Sequence, residues 1–289
     1  MSDVSPPGSG RPTHIADTRI IEVSDGAALF VSERSPSAWN TTAVLVHGIG
    51  ASHHTWDPVA EQLTTHGQRV ITYDQRGHGL SRAGVQGHVF ARLVADLREI
   101  VASVAGDGPV IVVGHSMGSA VALAYLIWER PEAVSAAALL TPVIGAPRSR
   151  GQRAAARFAA SSLVDRLIAS RLGGALILPA LVGPEAGRSV RDQVVHDILR
   201  SPGRQAITAG LDGLDLTAEL TKVTEPIAVV VGDHDRAVPV ASARAIADGL
   251  PDGRLHVLAR VGHTVPLEAP EKVVAVVTGM LAPNTADRS

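Results

Sequence analysis

Short runs of Val, Ile, Leu and Ala that end in turn-forming or polar residues recur along the chain at 43–46, 69–73, 110–113, 136–140, 227–231 and 255–259. Runs this short and this continuously apolar mark strands buried on both faces of a parallel sheet, because a half-exposed strand alternates. Stretches with helical spacing of their apolar residues lie at 56–65, 90–104, 118–129, 241–250 and 268–280, between most of these runs. Strand alternating with helix predicts a doubly wound α/β sheet. Ahead of them, 19–23 and 28–32 flank Asp25-Gly26, a dipeptide that favours the tight turn of an antiparallel hairpin. The expectation is a mostly parallel sheet that begins antiparallel, with helices on both faces.

One segment breaks the alternation. From 147 to 204 no strand is evident, only helical stretches at 153–172 and 189–199 separated by the Gly- and Pro-containing 173–187. It follows the strand at 136–140 and precedes the return to the sheet at 227, which would place a helical cap over the carboxyl ends of the strands, where open α/β sheets bind ligands. The organisation read from the chain is therefore a core at 14–146 and 205–283, a cap insertion at 147–204, and polar tails at 1–13 and 284–289.

Composition narrows the classes of function. Cysteine is absent, so no disulfide framework, thiolate nucleophile or Cys-ligated metal can form. A net charge of −2 lacks the basic excess that nucleic-acid binding uses. The beginning MSDVSPPGSGRP has no apolar signal region, and no apolar run reaches the roughly 20 residues of a membrane span, which makes the cytoplasm the expected location. Gly48-Ile49-Gly50 is not a dinucleotide fingerprint, because the third glycine of that spacing falls at His53, and the adjacent His53-His54 pair lacks metal-ligand spacing. No cofactor or metal is expected, the partner is a small-molecule substrate, and oligomeric state is not legible.

The chemistry centres on Gly114-His115-Ser116-Met117-Gly118, which follows the apolar strand at 110–113 and opens the helix at 118–129. Strand, G-x-S-x-G and helix is the context of a nucleophile elbow, whose turn is too tight for side chains at the flanking glycines. A serine hydroxyl is hardly ionised near neutral pH and needs a histidine as general base with a carboxylate to orient it, in the chain order Ser, acid, His. His263 ends the last strand, whereas His234 lies inside the preceding loop and His256 within the strand itself. For the acid, Asp233 and Asp235 share one short loop and spacing does not separate them. Backbone amides must also stabilise the developing oxyanion; the residue after the nucleophile, Met117, and Ile49 in the strand-ending His47-Gly48-Ile49-Gly50 are the candidate donors.

These features resemble the α/β-hydrolase superfamily. The matching positions run from His47-Gly48 through Asp74-Gln75-Arg76-Gly77-His78-Gly79-Leu80-Ser81, the elbow at 114–118 and the loop at 232–239 to Gly262-His263 with Glu268 and Pro270. The resemblance implies the α/β-hydrolase fold, a mostly parallel eight-stranded sheet, and makes Asp235 the acid, three residues after the loop glycine and before Val238-Pro239. It also implies that Arg76 braces the oxyanion loop and that Trp56 packs a helix, while His53, His54 and His78 are expected at the surface. Serine at the elbow disfavours the dehalogenases and epoxide hydrolases of this fold, which attack with aspartate. The function expected is hydrolysis of an ester, lactone or thioester of a small to medium apolar substrate. Two alternatives stay open: carbon–carbon hydrolysis of ring-fission products, with Arg148, Arg150, Arg153 and Arg157 as carboxylate binders, or acyl release and cyclisation in biosynthesis, each with the same triad; and a non-enzymatic receptor.

Overall fold

The computed structural model describes residues 16–104, 106, 108–145, 158, 160–170, 178–211 and 213–281. The expected tails at 1–13 and 284–289, residues 153–157, 159 and 171–172 of the helix expected at 153–172, and the cap arginines lie outside these residues. The hairpin β1 (Asp17–Glu22) and β2 (Ala28–Arg34) turns at Asp25-Gly26, where Gly26 takes φ +78°, a left-handed conformation that glycine adopts without a Cβ penalty. Then follow β3 (Thr42–Val46), α1 (Asp57–Thr65), β4 (Arg69–Tyr73), α2 (Phe90–Val104), β5 (Val110–His115), α3 (Met117–Glu129) and β6 (Val134–Leu140). Between β6 and β7 lie α4 (Ser162–Ala169), α5 (Arg188–Leu199) and α6 (Arg204–Gly210). The chain closes with β7 (Ile227–Gly232), α7 (Val240–Gly249), β8 (Gly253–Leu258), α8 (Val265–Glu268) and α9 (Pro270–Leu281).

All eight strands join one sheet in the order β1-β2-β4-β3-β5-β6-β7-β8. The β1–β2 and β2–β4 pairs are antiparallel and the remaining pairs parallel. Alternation within the buried strands divides the core. Val44, Val112, Leu139 and Val229 pack with α2, α3 and α7 on one face, and Leu45, Ile111, Ala138 and Val230 with α1 and α9 on the other. The central strands β3, β5 and β7 are thus buried along their whole length because each of their faces has a helix layer to meet, whereas β1 and β8 at the sheet edges stay half-exposed.

One boundary shifts: of the helix expected at 268–280, Glu268 ends the short α8, the chain breaks at Ala269, and Pro270, which has no N–H to donate, opens α9. In the segment between β6 and β7, Val164, Ile168, Leu178, Val182, Val194 and Ile198 form a small core of their own, separate from the two sheet faces. It is stitched to the strand ends: Gly79 N–H donates to Arg200 O (3.1 Å), Gly203 N–H to Gly77 O (2.9 Å) and His263 N–H to Leu181 O (3.1 Å). Among the described residues no helix is long and apolar enough to cross a membrane.

Candidate active site

β5 runs into α3 with Ser116 as the single residue between them. Ser116 sits at φ 53°, ψ −115°, a conformation an L side chain adopts only at a cost of about 1–3 kcal/mol. A Cβ on Gly114 would fall 2.4 Å from the Gly118 carbonyl oxygen, and one on Gly118 would fall 2.1 Å from that of Val46. Both glycines are therefore required by backbone contact, and the turn they permit lifts the serine to the carboxyl edge of the sheet.

The other two expected residues meet it there. His263 Nε2 lies 3.0 Å from Ser116 Oγ, and His263 Nδ1 lies 2.8 Å from Asp235 Oδ2. All three are buried. The second carboxylate oxygen of Asp235 accepts the amides of Ala237 (2.7 Å) and Val238 (2.9 Å). Burial alone would push the Asp235 carboxyl up, but the His263 hydrogen bond and charge and those two amides outweigh it, and its net shift is downward. Asp233, which spacing left as a rival, is exposed and accepts the Arg260 amide instead (2.6 Å). The structure thus brings Ser116, His263 and Asp235 together and leaves Asp233 outside.

Ile49 lines the same cavity as Ser116, and Met117 is the first residue of α3, where helical geometry leaves the N–H without an intrahelical acceptor. Neither amide is engaged by another group among the described residues. The cavity measures about 130 Å³, and its walls include Ile49, Leu181, Val194, Ile198 and Leu267 beside the buried carboxylate of Asp197. A larger cavity of about 530 Å³ lies between β8 and α9, but among the described residues no serine or threonine lines it. Chemistry therefore favours the smaller one.

Several residues around the site make contacts that the spacing of their motifs does not assign. His115 is buried behind Ser116, and its Nε2–H donates to the His263 carbonyl oxygen (2.8 Å), fixing the backbone of that loop from behind. Glu268 gathers the amides of Gly183 (2.7 Å), Gly262 (2.9 Å) and Thr264 (3.1 Å) around the same loop. His53 and His78, expected at the surface, are buried; His53 Nδ1 pairs with Asp74 (2.9 Å). The guanidinium of Arg76 does not touch the oxyanion loop. It binds Asp96 (2.6 and 2.8 Å) and Asp25 (2.9 Å twice), beneath the sheet hairpin. A single histidine in an otherwise apolar strand end was the available signal for His115; nothing in the spacing distinguished the burial of His78 from exposure.

Burial pushes the rings of His47, His78 and His115 below their ordinary value of 6.5, the last two to about 3. In the unfolded chain each ring takes up a proton as pH falls through 6.5, whereas in the folded chain His78 and His115 do so only near 3. The unfolded state binds more protons across that window, so stability falls with falling pH, by up to about 1.4 kcal/mol per pH unit for each ring. Urea unfolding should show a midpoint that drops steadily between about pH 6.5 and about pH 5; a flat midpoint across that interval would contradict the buried neutral rings.

A family model described as serine aminopeptidase, S33 matches residues 40–270. RutD of Variovorax paradoxus, named as a candidate carbamate hydrolase, is 31% identical over 225 residues, covering 76% of this chain and 84% of its own. The monoacylglycerol lipase of Mycolicibacterium smegmatis is 29% identical over 245 residues, with 80% and 84% covered. Among solved structures, an esterase from Exiguobacterium antarcticum superposes with a TM-score of 0.77 at 21% identity, over 91% of this chain and 99% of that one. That last likeness speaks to the fold alone.

Proposed function

Since the chain belongs to the α/β-hydrolase family, we propose that it hydrolyses a carboxylic ester, lactone or thioester of a small to medium apolar substrate through an acyl-serine intermediate. Ser116 Oγ attacks the carbonyl carbon as His263 Nε2 takes its proton, and Asp235 holds the imidazole and stabilises its cation. The tetrahedral oxyanion accepts the Ile49 and Met117 amides. Collapse breaks the bond to the leaving group, which receives the proton from His263; water, deprotonated by the same ring, then releases the acid and restores Ser116. The described residues 178–204 of the expected cap serve as the lid, since Leu181, Val194 and Ile198 help wall the cavity.

The observation that carries this reading is the unbroken relay from Ser116 Oγ through His263 to Asp235 at 3.0 and 2.8 Å, opening on a cavity that Ile49 lines. Membership in a hydrolase family and a lipase among the relatives support the bond type.

Asp197 bears on the substrate. Its carboxylate accepts Ser52 Oγ–H (2.8 Å), Thr55 Oγ1–H (3.2 Å) and Gln193 Nε2–H (2.9 Å) on the wall of the cavity, and the half-exposed His196 ring is a more distant partner, with Nδ1 3.4 Å from Oδ1. A negative wall disfavours a carboxylate on the substrate, which weighs against the dicarbonyl acids of ring fission. A series of neutral esters, lactones and thioesters of graded length should reveal turnover. An ester ending in a carboxylate should be poorer by about tenfold or more in kcat/KM than its neutral isostere, a gap that Asp197→Asn narrows. No turnover of any member of the series would overturn the reading.

A further inference from the structure

We propose that His78, acting with His47, is a positioning residue for the oxyanion site: the two buried rings clamp the backbone on either side of Ile49 and aim its N–H into the cavity. The inference rests on the acyl-transfer reading above. Its observations concern a different part of the molecule, the loop from Asp74 to Ser81, whose chemistry that reading does not use.

A peptide unit is planar and trans, so its C=O and N–H point in opposite directions. His47 Nδ1 lies 2.7 Å from Gly48 O. Pinning that carbonyl on one side turns the N–H of the same unit, that of Ile49, to the other side. There the backbone is already against the nucleophile: a Cβ on Gly48 would lie 3.1 Å from Ser116 Cβ. The next unit is held as well, because Gly50 N–H donates to His78 Nε2 (3.0 Å), with Gly50 at φ +69°. The two clamps therefore sit one on each side of Ile49.

The partners also fix the form of each ring. A backbone N–H can only donate, so His78 Nε2 must be the bare nitrogen facing Gly50, and Nδ1 carries the hydrogen toward Arg76 O (3.2 Å). Gln75 N–H likewise donates to His47 Nε2 (2.9 Å), leaving Nδ1–H of His47 for Gly48 O. Gln75 Nε2–H adds a bond to His47 O (2.6 Å). The rings are both fully buried and meet edge to face, with centroids 5.0 Å apart. Behind them the loop is anchored by the Arg76 pairs to Asp25 and Asp96. Arg76 thus braces the frame, and its neighbours Gln75 and His78 transmit that rigidity to the oxyanion loop. A loose loop would let the Ile49 amide wander from the oxyanion and return solvent reorganisation to the barrier.

The test uses the full chain and the best neutral ester of the graded series. Removing an oxyanion donor outright costs about 10²- to 10³-fold in kcat, so unclamping one should cost less. His78→Phe, which fills the space but cannot accept a bond, is expected to lower kcat by about 30-fold with KM within about twofold. Affinity for a trifluoromethyl ketone carrying the same acyl group, which forms an oxyanion on Ser116, should weaken in parallel. His78→Gln, whose amide oxygen reaches the position of Nε2, should return kcat to within about fivefold of wild type. A merely structural role would lower the unfolding midpoint and move KM without this split. Wild-type kcat in His78→Phe, or a loss in kcat that His78→Gln fails to reduce, overturns the proposal. Should His78→Phe not fold, nitrogen-15 spectra of the wild type decide: neutral Nδ1–H forms of both rings, with coupling from the Gly50 amide to His78 Nε2, support it, and any other tautomer overturns it. An inert wild type would instead defeat the acyl-transfer reading itself.

Discussion

Ser116→Ala is expected to lower kcat for the best neutral ester by about 10⁵- to 10⁶-fold, the scale seen when the nucleophile of such a relay is removed. The relay acts as a unit. Without Oγ there is no covalent step, His263 has no proton to accept at 3.0 Å, and only the oxyanion amides and binding remain to assist attack by water. Substrate affinity should persist, because the apolar walls from Ile49, Leu181 and Ile198 are untouched. Steady-state turnover together with equilibrium binding of the ester to the variant checks both halves. A variant that keeps more than about a hundredth of wild-type kcat would mean that another group carries the attack.

Asp235→Asn should cost about 10⁴-fold in kcat while Asp233→Asn stays near wild type. The reason lies in which hydrogen each ring nitrogen holds. Asp235 Oδ1 takes the Ala237 and Val238 amides, so an asparagine there keeps its oxygen on those donors and turns its NH₂ toward His263 Nδ1. The ring must then carry its hydrogen on Nε2, the atom that faces Ser116, and it can no longer accept the serine proton. Asp233, exposed and bonded to the Arg260 amide, has no path to that ring. Paired kinetics of the two variants, with unfolding midpoints as the control for folding, distinguish a loss of tautomer from a loss of structure; equal losses in both would contradict the assignment of the acid.

The parts of this molecule legible in its sequence are those whose residue types are dictated by close backbone contact or by period. Gly114 and Gly118 are forced by approaches of 2.4 and 2.1 Å, and they mark the elbow whatever surrounds it. Alternating faces of strands such as β3, with Val44 on one core and Leu45 on the other, demand continuous apolar runs, and the sheet follows from them. The hairpin turn at Gly26 is visible for the same local reason. Contacts distant in sequence left no such trace. Whether Asp233 or Asp235 faces His263 depends on where one short loop points its side chains, and spacing is nearly blind to that. Arg76 was expected against the oxyanion loop and is drawn the other way by Asp25 and Asp96, which stand 51 and 20 residues away. His78 is polar and sits among glycines, the local signature of exposure, yet its loop is covered by Gly203 and Arg200 from the segment after β6. Asp197 falls within the helical stretch at 189–199 with nothing local to mark it; only packing against Ser52 and Thr55 brings it to the cavity wall.

The central claim, that Ser116 is acylated during turnover, is tested most directly by acid-quenching the enzyme with a slowly hydrolysed ester and measuring intact and peptide masses. The expected result is one acyl group per chain, carried on the peptide that contains Ser116 and absent from Ser116→Ala. Steady turnover of the ester with no acyl group on Ser116, or with the acyl group on another residue, would contradict it.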